Sequence, residues 1–269
     1  MKRLIALCAV LFLLLRMASA QCSSHNEAFH AGEHLSYDLY FNWKFVWIKV
    51  GTAYWDVMQT RYNGQTAYQT TLTTQTSGRA DKYFRMRDKL TSYVTTDLVP
   101  LYYQKDADEG GTFRQEKVTF SYPAGQCRID MFYQRADKEP QKKSYTSKYC
   151  AFDMISMVLR SRSFHAESFK VGQRIPFLMA EGKHTEWRTL IYRGKKKFKM
   201  EGNNVVYRCL VFSYVEKEGN NEKEIVKFYI TDDKNHLPVR LDLNLKFGTA
   251  KALLRSCRGV RNPQTAIIK

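Results

Sequence analysis

The chain has 269 residues, with 43 Lys and Arg against 26 Asp and Glu, a formal balance of +17. That length is ample for a real core, built as one large β domain or two small ones. A basic surface favours anionic partners such as lipid head groups, anionic glycans or nucleic acid, and an export signal at residues 1–20 makes nucleic acid the least favoured of these; a soluble protein with many solvated lysines is the plainer account of the same charge.

In that signal, Lys2 and Arg3 form a positive start, Leu4–Leu15 is an apolar run of 12 residues, and Ala18-Ser19-Ala20 offers the small-x-small pattern of signal cleavage. The run is too short to span a bilayer, which takes about 20 apolar residues. The expectation is a signal peptide cut after Ala20, an exported mature chain starting at Gln21, and no transmembrane span once it is removed. Lys2, Arg3 and Arg16 leave with it, which takes the balance from +17 to +14. Lipid anchoring at Cys22 is not expected, because the anchor motif wants a small residue directly before the cysteine and a leucine two further back, where Gln21 and Ser19 stand.

Period-2 alternation dominates the mature chain. Residues 21–29 read as a flexible mature N-terminus. Leu35, Tyr37, Leu39 and Phe41 form the first alternating strand, and Tyr37, Tyr40, Phe41, Trp43, Phe45, Trp47, Tyr54 and Trp55 crowd into one early hairpin. Core packing explains such a cluster, and so does a ligand-binding sheet face. Tyr68, Thr70, Leu72 and Thr74 give a Thr-rich strand. Ser77–Arg85 reads as a second short helix or an irregular crossing. Cys127, Ile129, Met131 and Tyr133 alternate in the middle, and Val206–Tyr214 nearly does so later. The clearest strand is Val239, Leu241, Leu243, Leu245 and Phe247. Turn signals at Asn63-Gly64, Asp97–Pro100, Gly110-Gly111, Pro123–Gly125, Gly202–Asn204, Gly219–Asn221 and Asp232–Asn235 separate strands of a meander, since Asn and Gly tolerate the positive φ of tight hairpins.

One segment breaks the rhythm. Asp153 suits an N-cap, Met154/Val158 and Ile155/Leu159 stack at i,i+4, and Arg160 and Arg162 suit the C-terminal dipole. The main helix is therefore expected at 152–163, joining β parts 30–149 and 170–258 of a single β-rich domain. Residues 259–269 read as a flexible tail.

The mature cysteines are Cys22, Cys127, Cys150, Cys209 and Cys257. Export favours pairing, and Cys127–Cys150 with Cys209–Cys257 would each close a loop within one half of the chain, although spacing does not fix connectivity. All five remaining reduced is the alternative.

Catalytic and metal patterns are thin. His25, His30 and His34 with Glu27 and Glu33 have metal-ligand chemistry, but lie in a polar segment without i,i+4 histidines on a helix. There is no Gly-x-Ser-x-Gly turn, and Cys150 with His165 fits a disulfide or core cysteine better than a nucleophile. His184 and His236 have no assigned partners. Asp232-Asp233 and Asp106/Asp108/Glu109 suit hairpin turns better than facing acids. Gly194–Lys197 is a solvated basic tip and not a phosphate loop. No catalytic residue, metal or cofactor is expected.

Four segments together resemble a family of exported bacterial proteins catalogued as domain of unknown function 3108. They are Gly32–Tyr37 with Ile48–Gly51, Asp81–Phe84 with Arg87-Asp88, Asp153–Arg160, and Phe228–Val239 ending at Lys246-Phe247-Gly248 and Ala250. The resemblance implies a periplasmic or envelope location and a β-rich fold, and brings no activity. Within these segments Gly51 and Gly248 suit a kink or bulge, Pro238 the entry to an edge strand, and Arg87 and Arg160 a pairing with Asp88 or Asp81.

The fold expected is mainly β, a long twisted antiparallel sheet curling into an open half barrel with the 152–163 helix packed against it. Such a shape has room for an apolar ligand between sheet and helix, lined by Phe41, Trp43, Trp47, Trp55, Arg87 and Arg160. The expected function is non-enzymatic binding of an anionic or other lipid, a glycan or an envelope protein. A hydrolase acting on cell-wall or glycan material and a scaffold for envelope assembly are the alternatives.

Overall fold

The structure is a computed structural model and describes residues 22–201, 204–219, 221–245 and 248–268. The signal segment with its Cys8, Gln21, Gly202, Asn203, Asn220, Lys246, Phe247 and Lys269 lie outside the described residues. In chain order the strands are β1 (His34–Trp43), β2 (Val46–Tyr62), β3 (Gln65–Thr76), β4 (Met86–Thr95), β5 (Pro100–Glu109), β6 (Thr112–Ser121), β7 (Cys127–Arg135) and β8 (Gln141–Ser147). After β9 (Ala151–Phe152) come the helix α1 (Met154–Ser161), β10 (Arg174–Glu181), β11 (His184–Lys199), β12 (Val206–Glu218), β13 (Asn221–Thr231), β14 (Pro238–Leu245) and β15 (Gly248–Arg258).

The 15 strands among the described residues belong to one sheet, in the order β8-β7-β6-β5-β4-β3-β2-β1-β15-β14-β13-β12-β11-β10-β9. The chain thus starts in the middle of the sheet and winds outward in both directions. Every ladder is antiparallel except the two-residue β9–β10 pairing. The sheet curls almost into a closed barrel with one unsealed seam. Across it, side chains stand in for a ladder: Tyr145 donates to the Lys183 carbonyl at 3.1 Å, Lys183 Nζ to Gln141 Oε1 at 3.0 Å, and the Gly182 amide to Glu116 Oε2 at 2.9 Å.

The alternation in the sequence is kept except where bulges reset it. One lies between Leu39 and Tyr40 opposite Gly51, where any Cβ would come within 2.1 Å of the Gln75 carbonyl oxygen. Gly248 has φ +144°, and a Cβ there would meet the Phe41 ring at 2.9 Å. Both glycines are therefore required by close approach in long strands.

Helix α1 is short, and its start is fully built. The Asp153 carboxylate accepts the Ile155 and Ser156 amides at 2.9 Å and the Ser92 hydroxyl of β4 at 3.0 Å, while Ser156 Oγ accepts the Asp153 amide. The reciprocal bonds of Asp153 and Ser156 make a capping box. Ile155 and Leu159 are buried whereas Met154 is exposed, so only one of the two expected i,i+4 pairs faces the core. The 77–85 segment is a crossing with one 3₁₀ turn, Gly78–Lys82.

Three expectations are corrected. Cys22 is bonded to Cys150, while Cys127, Cys209 and Cys257 are free thiols, so neither Cys127–Cys150 nor Cys209–Cys257 forms. Sequence proximity misleads here, because folding brings the two ends of a 128-residue separation together. Residues 22–29 are not loose, since Cys22, Ala28 and Phe29 are buried. The tail is likewise packed: Ala266 is buried, Ile267 bridges to Tyr207, and the Ile268 amide donates to the Val206 carbonyl.

A candidate binding rim

The six residues expected to line one apolar cavity are dispersed. Trp55 is buried in the core, and Phe41 is half-buried over Gly248. Arg87 holds Asp81 across the 77–85 crossing at 2.7 Å, as one of the expected pairings requires. That guanidinium and the Thr76 hydroxyl hold the Asp81 carboxyl down to about 2. Among the described residues Arg160 meets no aspartate; it donates to the Cys22 carbonyl at 2.8 Å and stacks over Phe152. Trp43 and Trp47 are exposed at one hairpin tip. Instead of a ligand chamber, the space between sheet and helix is filled by side chains such as Leu90, Val94, Tyr103, Ile155 and Leu159. A depression of about 200 Å³ lies between β3, β4 and the β5–β6 pair, beside Gln75, Arg87, Lys89 and Phe113.

The other candidates are engaged in the fold. His34 Nδ1 meets Asp56 at 2.6 Å, His25 faces Glu27 at 3.5 Å, and Glu33 is bonded to Arg162, so the N-terminal cluster does not converge. No group of three His, Cys, Asp or Glu side chains among the described residues is placed to hold a metal ion. Asp232 holds Lys195 at 3.0 Å, Asp233 accepts the Asn235 amide and the Thr231 hydroxyl, and His236 Nδ1 meets the Arg162 carbonyl. Cys150 is spent in the disulfide, and His184 is exposed. Of the acids at 106–109, Asp106 accepts from Gln104 and Gln115, Asp108 faces Arg85, and Glu109 pairs with Arg114.

Two buried polar clusters escape sequence reading. Asp88 is buried on β4 with one carboxyl oxygen unpartnered, and burial, followed by the nearby Glu109 carboxylate, pushes its pKa up to about 7. Arg162, just past α1, is 1% exposed and forks onto Glu33 at 2.5 and 2.8 Å. Its Nε and Nη2 also donate to the Asn235 carbonyl. Asn235 in turn bonds the Asn262 backbone, which ties three distant chain segments together.

Of the 16 large apolar side chains exposed among the described residues, nine lie in one arc at one end. Connections of an antiparallel meander alternate ends, so β1–β2, β3–β4, β5–β6 and β14–β15 all turn at the same one, on consecutive stretches of the sheet. The β1–β2 tip exposes Trp43 (59%), Phe45 (97%), Val46 (61%), Trp47 and Ile48. Register places Phe41, Trp43, Val46 and Ile48 on one face of that hairpin and Trp47 on the other, where Lys251 Nζ lies 4.2 Å from its ring centroid. Beside the tip, the β3–β4 crossing exposes Tyr83 (90%) and Phe84, with Phe113 next to it on the β5–β6 hairpin. Leu245 closes the arc on the other side.

The tip itself is strained. Lys44 and Phe45 occupy the two-residue turn with φ of 47° and 72°, the left-handed pair that Asn63 and Gly64 adopt in the β2–β3 turn at 49° and 81°. Asn-Gly takes that conformation with little penalty, whereas a bulky residue there costs on the order of 1 kcal/mol or more. The Asn42 side chain, accepting the Phe45 amide at 3.3 Å, supports the turn locally.

The family described as a protein of unknown function (DUF3108) matches residues 36–255. No curated protein matches the chain. A β-barrel-like protein of domain of unknown function DUF1849 from Brucella abortus is similar with a TM-score of 0.55 at 8% identity, covering 87% of this chain and 100% of that one, a likeness of fold alone. A protein from Bacteroides fragilis, named for a YmcC-like fold and export, overlays at a TM-score of 0.32 and 9% identity over 88% of this chain and all of its own.

Proposed function

We infer the role of this chain, which belongs to the DUF3108 family of proteins of unknown function, from its own surfaces: it is an exported envelope protein that binds a partner without catalysis, and meets it at the rim and not inside the barrel. The observation that carries this reading is the arc of exposed aromatic and aliphatic side chains on adjoining connections, headed by Trp43 and Phe45. Scattered exposed apolar residues are ordinary, but a contiguous patch on one end marks an interaction surface. The filled interior argues against a carrier that encloses its cargo. The engaged carboxylates and histidines argue for structural roles at the positions where a hydrolase would need free ones. Export itself rests on the signal pattern of residues 1–20, and the Cys22–Cys150 disulfide fits an oxidising compartment.

The test is retention on isolated envelope. Wild-type protein and Trp43→Ser/Phe45→Ser are added to envelope stripped of the endogenous protein, and bound and free fractions are separated by sedimentation. The double variant is expected to lose about a hundredfold in affinity for the envelope, because each ring withdraws roughly 1.5–3 kcal/mol of hydrophobic transfer when fully buried. Equal retention of the two proteins would sink the rim as the binding surface.

A further inference from the structure

We propose that the partner at this rim is the surface of an anionic lipid bilayer, into whose interface the β1–β2 tip inserts; the proposal rests on the rim reading above and names its partner. Three independent features point the same way. The first is side-chain chemistry. Trp and Tyr rings are favoured at the boundary between acyl chains and head groups, and the arc mixes Trp43, Trp47 and Tyr83 with the fully apolar Phe45, Val46 and Phe84.

The second is charge. Exposed Lys44 sits at the tip between Trp43 and Phe45, and exposed Arg79 and Lys82 sit on the adjoining crossing. The acids of the same connections are already engaged: Asp81 holds Arg87, and Glu109 pairs with Arg114. Among the described residues these connections therefore present cations interleaved with aromatics and no uncompensated acid, the exposed Asp137 and Glu139 standing further round on the β7–β8 connection. Lipid head groups of negative charge complement that pattern.

The third is the strained turn. The molecule uses Asn63-Gly64 for one two-residue hairpin and Lys44-Phe45 for another in the same left-handed conformation. The second choice sacrifices stability to hold a phenylalanine, 97% exposed, at the farthest point of the hairpin. A convex tip of this kind enters a fluid interface, whereas a folded protein partner would need a concave site to bury it.

The experiment uses protein recovered after export, because the apolar run Leu4–Leu15 would itself partition into lipid. Co-sedimentation and tryptophan emission are measured with vesicles of phosphatidylcholine mixed with phosphatidylglycerol, and with vesicles of phosphatidylcholine alone. Wild type is expected to bind the mixed vesicles with a blue shift, and to release as salt rises. Trp43→Ser/Phe45→Ser is expected to bind about a hundredfold more weakly, at roughly tenfold for each ring partly immersed. Lys44→Gln/Lys82→Gln is expected to lose roughly thirtyfold on mixed vesicles and little on neutral ones, since each cation near such a surface is worth about 1 kcal/mol. Val171→Ser, an exposed apolar residue away from the rim, is expected to bind as wild type does.

A second variant, Lys44→Asn/Phe45→Gly, installs the relaxed turn. It is expected to melt no lower than wild type while losing binding at least tenfold, a combination that a purely structural Phe45 would not give. Wild type that binds neither vesicle overturns the lipid assignment; if Trp43→Ser/Phe45→Ser still loses envelope retention in that case, the rim reading stands with a partner of other chemistry. Vesicle binding that is equal in wild type and Trp43→Ser/Phe45→Ser overturns the insertion of the tip, and equal envelope retention of the two proteins overturns the rim reading as well.

Discussion

Glu33→Gln is expected to be among the most costly single-atom changes in this molecule. The Glu33 carboxylate and the Arg162 guanidinium meet in a two-point fork at 2.5 and 2.8 Å with side-chain exposures of 0% and 1%. The guanidinium is also fixed by the Asn235 carbonyl at 2.9 and 3.1 Å and lies 5.1 Å from the centroid of the Phe29 ring. Replacing the carboxylate by an amide keeps one acceptor, turns the other into a donor aimed at a cation, and leaves the arginine charge buried without its counterion. Removing one member of a buried pair costs about 3–5 kcal/mol, and the retained acceptor puts this substitution near the lower end. For a chain of this size that corresponds to a fall in Tm of about 6–12 °C. Urea unfolding followed by circular dichroism reads the same loss as a lower midpoint with an unchanged slope. Arg162→Met removes the stranded charge, so Glu33→Gln/Arg162→Met should be less destabilised than the two single losses added, by more than about 1 kcal/mol. A cost for Glu33→Gln below about 1 kcal/mol, or strict additivity in the double variant, would refute the claim that this pair is dry and coupled.

Other buried groups give further outcomes. Cys22→Ser/Cys150→Ser opens a loop spanning 128 residues, for which chain entropy sets a stabilisation near 5 kcal/mol; a measured loss of about 2–5 kcal/mol is expected, and no change under reducing conditions would exclude the bridge. Native protein should also show Cys257 as the first thiol to react with an alkylating agent, since Cys127 and Cys209 are buried and burial pushes the Cys209 thiol up to about 12. Asp88 gives a pH signature. Its folded-state pKa, near 7, lies above the ordinary 3.8, so the native state binds this proton more tightly than the unfolded chain does. The stability it contributes is whole below about pH 4 and is lost as pH rises through about 7. Asp88→Asn cannot ionise, and its stability relative to wild type should rise between pH 5 and pH 8 by on the order of 2 kcal/mol. A difference that stays flat over that window would mean that Asp88 is solvated.

Much of the architecture is legible in the residues because a strand with one dry face must alternate. Val239–Leu245 and Leu35–Phe41 fall within β14 and β1 for that reason, and Asp153 marks the start of α1 because its carboxylate accepts the free N–H groups of the first turn. The degree of closure is not legible, since it depends on how far twist accumulates over 15 strands and on side chains such as Tyr145 and Lys183 that meet only after the sheet has curled. Pairing of Cys22 with Cys150 is hidden for the same reason. The rim is half visible. The aromatic cluster in 37–55 stands out, but alternation alone divides it wrongly: Trp55 points into the core, while the strand pair overshoots and carries Trp43–Ile48 out of it. The turn at Lys44-Phe45 gives no signal, because the usual markers are Asn and Gly, and Tyr83, Phe84 and Phe113 join the arc only through the order of the sheet.

The two ends of the barrel are built differently, and this asymmetry supports the proposed rim surface. At the end where β1 starts and β15 finishes, the chain ties itself down repeatedly. The Ser24 amide reaches the Asp97 carbonyl, Arg261 reaches the Asn26 carbonyl, Asn262 reaches Glu27 and Asn235, and Arg162 locks onto Glu33. Phe29 and the Cys22–Cys150 bridge pack into the same region. At the other end the connections are short hairpins and one crossing, and Trp43, Phe45, Val46 and Tyr83 stand exposed on them. A fold stabilised only for its own sake would place Asn-Gly in the β1–β2 turn and polar residues beside it. Retaining Lys44-Phe45 between Trp43 and Val46 lowers stability at the end held by side-chain pairs such as Arg87–Asp81 and Arg114–Glu109. That cost is tolerable because the opposite end carries the buried ion pair and the disulfide, and it is explained if the rim is the surface that works.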